Sequence, residues 1–126
     1  MKDNLQEARR YLNNAREILK DKALKEGKFY KDKKYVKLAG HSAYCGVLIA
    51  LDELLGNKGR GRKSIEWYKA ELGKVDRKAL TSLNAAYETL HLAMSYDGNS
   101  LADISKAGIE LADSLINWVE TRKATA

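Results

Sequence analysis

Few residues in this chain are equipped for chemistry: two histidines, His41 and His91, one cysteine, Cys45, and a glycine-rich basic loop, Gly56-Asn57-Lys58-Gly59-Arg60-Gly61-Arg62-Lys63-Ser64. The loop echoes a phosphate-binding P-loop, with four residues between Gly56 and Gly61 and a Lys-Ser pair behind them, but Arg62 breaks the spacing. A P-loop also follows a strand and opens a long helix, whereas this loop follows one helical pattern and opens a short one. Nucleotide hydrolysis is therefore set aside. Lys58, Arg60, Arg62 and Lys63 remain a candidate anion or phosphate contact, because four cations in six residues stand beside a helix N-terminus. The alternative is a solvated, entropically loose loop.

Glu88 and His91 have the Glu-x-x-His spacing of di-iron helical bundles, but such a site needs a second motif and further inward glutamates. His41 has Leu38 where that glutamate would stand. No metal and no cofactor is expected. Asn84, Tyr87 and His91 form a polar strip along one edge of a helical apolar face, and with His41 they are the candidate groove residues; the alternative is that both histidines are satisfied within the core. Cys45 and His41 are four apart on one helix, yet a small buried cysteine is normally inert packing. No catalytic residue is assigned.

The elements that must position these groups are helical. The 126 residues contain no proline, and 44% are hydrophobic against 32% charged. That composition predicts a single domain over residues 1–126, built from long helices. The lone Cys45 excludes an intrachain disulfide framework and fits a reducing compartment. No apolar leader opens the sequence, and its longest uncharged apolar run, Ala43 to Leu51, is nine residues against the roughly 20 of a bilayer span. A cytoplasmic protein with no membrane partner is expected.

The charge is uneven. Lys and Arg total 23 against 17 Asp and Glu, a net +6, and residues 1–63 hold 16 of the basic and 8 of the acidic side chains. Eight lysines between Lys20 and Lys37 are opposed only by Asp21, Glu26 and Asp32, with Phe29 and Tyr30 among them. Such a half is a candidate surface for an anionic partner, nucleic acid or an acidic protein. The plainer alternative is a solvated face that confers solubility. The aromatic pair either stacks on bases or plugs the end of the core, and the plug is the reading preferred here.

The first segment places Leu5, Ala8, Leu12, Ala15 and Leu19 on one stripe, broadened by Tyr11 and Ile18 and stopped by Gly27. The second, about residues 33–55 and ending at Gly56, carries two apolar stripes about 120° apart. Leu38, Ser42, Cys45 and Ile49 mark one, and Tyr44, Leu48, Leu51 and Leu55 the other. A helix apolar on most sides must be covered on most sides. The second stripe, Tyr44, Leu48, Leu51 and Leu55, is therefore the candidate interface of an expected homodimer.

Ser64 is placed to cap a short helix over about 65–72, closed by Gly73, and Asp76 to cap a third long helix through about Tyr96 with a face of Leu80, Leu83, Tyr87, Leu90 and Met94. The fourth long helix carries Leu101, Ile104, Gly108, Leu111, Leu115 and Trp118, with Gly108 small enough for close approach of a neighbour. No period-two run argues for a sheet. The expected fold is all-α: an antiparallel up-and-down four-helix bundle with a short extra helix in the connection between the second and third long helices.

The segments ARRYLNNAREIL, GHSAYCGVLIALDELL and AAYETLHLAMSYDG, with the basic break and the final amphipathic helix, resemble the HEPN-like superfamily of small bacterial helical bundles. The combination looks like a family of unknown function from gut Bacteroidetes within that group. The resemblance implies an antiparallel four-helix bundle, a homodimer, and functions from metal-independent toxin ribonucleases to noncatalytic RNA or nucleotide binding. The ribonucleases carry an arginine, four to six further residues, and a histidine. Here Ala86, Ala85 and Asn84 stand at those positions before His91, and Val36, Tyr35 and Lys34 before His41. No arginine matches, so nothing at the motif spacing would stabilise charge on a scissile phosphate. The expectation is a noncatalytic, homodimeric binding or interaction protein. The alternatives are a diverged RNA-cleaving bundle, or noncatalytic nucleic-acid binding through the basic N-terminal half.

Overall fold

Helix α1, Asn4–Asp21, buries Leu5, Ala8, Leu12, Ala15 and Leu19, the stripe its three-four spacing dictates. The structure, a computed structural model, describes residues 4–57 and 61–125. Helix α1 ends at Asp21, six residues before the expected Gly27. Gly27, at φ 62°, instead turns a hairpin between β1, Lys25–Glu26, and β2, Phe29–Tyr30, paired antiparallel with Lys25 opposite Tyr30. Two residues per strand are too few to leave a period-two signature, which is why the sequence shows no sheet. The strands are anchored from outside: Tyr30 N–H donates to Ser100 O, and Ala102 N–H to Lys28 O.

Helix α2, Lys33–Leu55, opens at Asp32, whose side chain accepts from the Lys34 N–H, and ends at left-handed Gly56. It packs against α1, against the segment Tyr87–Tyr96 and against α5, Ala102–Thr125. By length and composition it is apolar enough to cross a membrane, but its apolar surface is largely consumed inside the fold. Tyr44, Leu48 and Leu51 are buried within the single chain, and Leu55 is half-buried. The stripe assigned to an interface between copies thus already has its partners at home, because α2 lies centrally and is covered from more than two directions. The less covered stripe is the other one: Leu38 is 46% exposed and Ser42 and Ile49 are half-buried, with only Cys45 buried.

Helix α3, Ile65–Val75, is capped by Ser64, whose hydroxyl accepts from the Trp67 N–H. It does not close at Gly73. The helix runs two residues further to Val75, and Asp76 terminates α3 and caps α4, Arg77–Ala86, by accepting from the Ala79 N–H. From Tyr87 to Tyr96 the third long helix widens into a π-helix, where a regular α-helix is expected. Two glycines admit it. A Cβ on Gly40 of α2 would lie 2.5 Å from Met94 Cβ and 2.8 Å from Leu90 O, and one on Gly108 of α5 would lie 2.8 Å from Leu90 Cδ2. Helix α2 approaches this segment at backbone distance at Gly40, while Gly108 of α5 makes room for the side chains of Leu90 and Met94.

Helix α5 buries Ala102, Ser105, Gly108, Ala112, Leu115, Ile116 and Val119. Of the expected stripe, Gly108 and Leu115 lie on that face, while Leu101, Ile104, Leu111 and Trp118 are half-buried at its edge. Small residues seat α5 closely and the large ones seal its flank, so size misplaces the stripe. The described residues form a mostly helical fold of five α-helices, one π-helical segment and a minimal hairpin.

Candidate functional site

The polar strip divides where the helix changes pitch. Asn84 lies on regular α4 and is exposed, whereas Tyr87 and His91 lie on the π segment and stack, ring centroids 5.1 Å apart at 28°. Tyr44 of α2 completes the cluster, 4.9 Å from the His91 ring and 6.0 Å edge-on to Tyr87. Burial, with Tyr87 beside it, holds the Tyr44 hydroxyl well above the usual phenol range, while Arg62 pulls the other way. His91 Nδ1 is buried with no hydrogen-bond partner among the described residues. Lys69 of α3 places Nζ 4.8 Å from the Tyr87 ring centroid, a cation–π contact on the cluster's outer side.

The other expected groove residue, His41, turns to a different partner. Its Nε2 is 3.5 Å from Cys45 Sγ, and Arg62 Nη1 donates to the same sulfur at 3.5 Å. Cys45 is therefore not plain packing: it is buried beneath two exposed polar side chains, an imidazole and a guanidinium. Because Tyr44 and Cys45 are consecutive on α2, the aromatic cluster and this trio adjoin.

Lys58 and Arg60 lie outside the described residues, Arg62 folds back onto α2, and Lys63 is exposed. Asn57 and Gly61, on either side of residues 58–60, are joined in a network that the sequence alone does not reveal. Asp52 Oδ1 accepts from the Tyr68 hydroxyl at 2.6 Å and from Asn57 Nδ2 at 2.9 Å, and Asn57 Nδ2 also donates to Gly61 O at 3.0 Å. Burial first, and the bond to Asp52 second, push the Tyr68 phenol up to about 12. An aspartate followed five residues later by an asparagine just past a helix end was the only available signal, and it is a common one.

Two surfaces remain. Between α1 and α2 lies an open groove of about 450 Å³ lined by Tyr11, Asn14, Ile18, Leu38, His41 and Ser42. The Ser42 hydroxyl donates to Tyr11 O at 2.7 Å, which sets the two helices in register. At the hairpin end all eight lysines from Lys20 to Lys37 are exposed, and among the described residues only Lys31 is ion-paired, to Glu26 at 3.4 Å. Phe29 stands among them 54% exposed. The plug reading holds for Tyr30, which packs half-buried on the core, and fails for Phe29: the one-residue step along β2 sends adjacent side chains to opposite faces.

The sequence profile of a domain family of unknown function, DUF5618, matches residues 3–121, and the chain belongs to that family. Among solved structures, a protein of unknown function from Dyadobacter fermentans is 50% identical and superposes with a TM-score of 0.87 over 94% of each chain. No curated protein matches. These relatives carry the family and the fold, and no specific activity comes with them.

Proposed function

We propose that this DUF5618 protein is a noncatalytic, cytoplasmic binding module with a HEPN-like arrangement. In that arrangement α1, α2, α4 with its π continuation, and α5 are the four antiparallel helices, and α3 is the extra helix between the second and third. Its ligand is a single-stranded nucleic acid, held at the hairpin end. One observation carries this reading: Phe29 presents more than half its surface amid lysines of which seven have no ion pair among the described residues. An exposed aromatic on a cationic surface can stack a base while the lysines track the backbone.

Titration of a labelled oligoribonucleotide tests it. Contact with about four phosphates gives a log–log salt slope near −3, so affinity falls about 50-fold between 50 and 200 mM salt. Phe29→Ala removes a stacking platform worth about 1–3 kcal/mol. Absence of binding at 50 mM salt sinks the proposal.

A second reading has a specific observation behind it. The fold brings Arg62 and His41 to the same sulfur, supplying in space an arginine absent at the motif spacing. Cleavage of total RNA that disappears in both His41→Ala and Arg62→Ala would establish a diverged ribonuclease in place of the noncatalytic module.

A further inference from the structure

We propose that the groove between α1 and α2 is where a second copy of this chain docks, the two copies related by a twofold axis running along the groove. The proposal is independent of nucleic-acid binding and moves the expected homodimer to the opposite stripe of α2. The floor is apolar: Tyr11 and Ile18 from α1 are half-buried, and Leu38 from α2 is 46% exposed. The α1 wall is lined by Glu17, Asp21 and Lys22 and is net negative, and Lys34 stands one turn beyond Leu38 on the α2 side. On α1, Glu17 and Asp21 are exposed one turn apart with no ion pair among the described residues. On α2, Lys34 is exposed, its ammonium resting 5.2 Å from the Tyr35 ring centroid and making no ion pair among the described residues.

The register between the helices makes this surface complementary to itself. With Ser42 bonded to Tyr11 O, antiparallel counting sets Lys34 level with Leu19, midway between Glu17 and Asp21. Two residues in either direction is about 3 Å of rise. A twofold parallel to the groove lays each α1 antiparallel across the partner's α2 at the same height. The partner's Lys34 then falls between Glu17 and Asp21, twice over by symmetry, while Ile18 and Leu38 of the two copies close on one another. An isologous interface needs a patch that answers itself, and a net-negative α1 wall with Lys34 across an apolar floor is such a patch. An unrelated partner would not need this register.

Sedimentation equilibrium of the full chain between about 1 and 50 µM, with circular dichroism to confirm helicity, decides the matter. The expected mass at the upper concentration is twice the 14.1 kDa of the chain. Leu38→Glu should give a monomer of unchanged helicity. Asp21→Lys and Lys34→Glu, both surface changes, should each weaken association at least tenfold, and the double variant should restore it. A wild-type monomer at 50 µM overturns the proposal. So does a dimer indifferent to Leu38→Glu, which would put the interface elsewhere, or a charge-exchanged double variant no tighter than either single one.

Discussion

The two apolar stripes of α2 began as equals and ended differently. Tyr44, Leu48 and Leu51 meet the π segment and the rest of the core, and are sealed; of the other stripe Cys45 is buried, but Leu38 and Ser42 line an open groove between α1 and α2. Nothing in side-chain apolarity separates them, for the sealed stripe includes a tyrosine and the open one a leucine. What separates them is where neighbouring backbones can reach. Gly40 admits the π segment to one side of the helix, while the Ser42–Tyr11 bond holds α1 in register without covering Leu38. A greasy helix face is thus a demand for cover, and the demand does not say which cover is supplied within the chain.

Substitutions can break or sharpen that contrast. The largest effect belongs to the sealed stripe: Leu51→Ala, at a fully buried position, should cost about 2–5 kcal/mol in urea unfolding. A loss below 1 kcal/mol would mean that this stripe is not sealed. Intermediate is Tyr68, which roofs the C-terminal end of the open stripe through Asp52. Its folded pKa stands above its unfolded value of about 10, so its contribution is complete below pH 10 and drains away as pH rises toward about 12. Tyr68→Phe should flatten the fall of the urea midpoint over that window, and an unchanged slope would remove Tyr68 from the account. The smallest effect is on the open stripe: Leu38→Ala should change monomer stability by no more than about 0.5 kcal/mol. A cost near that of Leu51→Ala would show the two stripes to be equivalent.

Much of the framework was legible because it is local. The α1 stripe, the Ser64 and Asp76 caps and the left-handed Gly56 depend on residues within one turn of one another. Gly108 was legible as a close approach for the same reason: absence of a side chain is a property of the residue itself. The π segment was not, since its residues are ordinary helix formers and the glycines that make room beside it, Gly40 and Gly108, lie about 50 residues upstream and 15 downstream. The candidate site was legible in its parts and not in its grouping. Helical spacing relates Tyr87 to His91 and His41 to Cys45, but nothing local joins Tyr44 to the first pair or Arg62 to the second.

By itself, then, the sequence determined that the chain is helical, where most helices begin, and that its basic charge gathers around one connection, because these follow from spacing and composition along the chain. The tertiary structure alone decided which stripe of α2 stays open, that Phe29 and not Tyr30 faces outward, and that Arg62 meets Cys45. Each of those depends on which backbone comes within a few ångströms of which side chain across long sequence separations, and local periodicity carries no record of that distance.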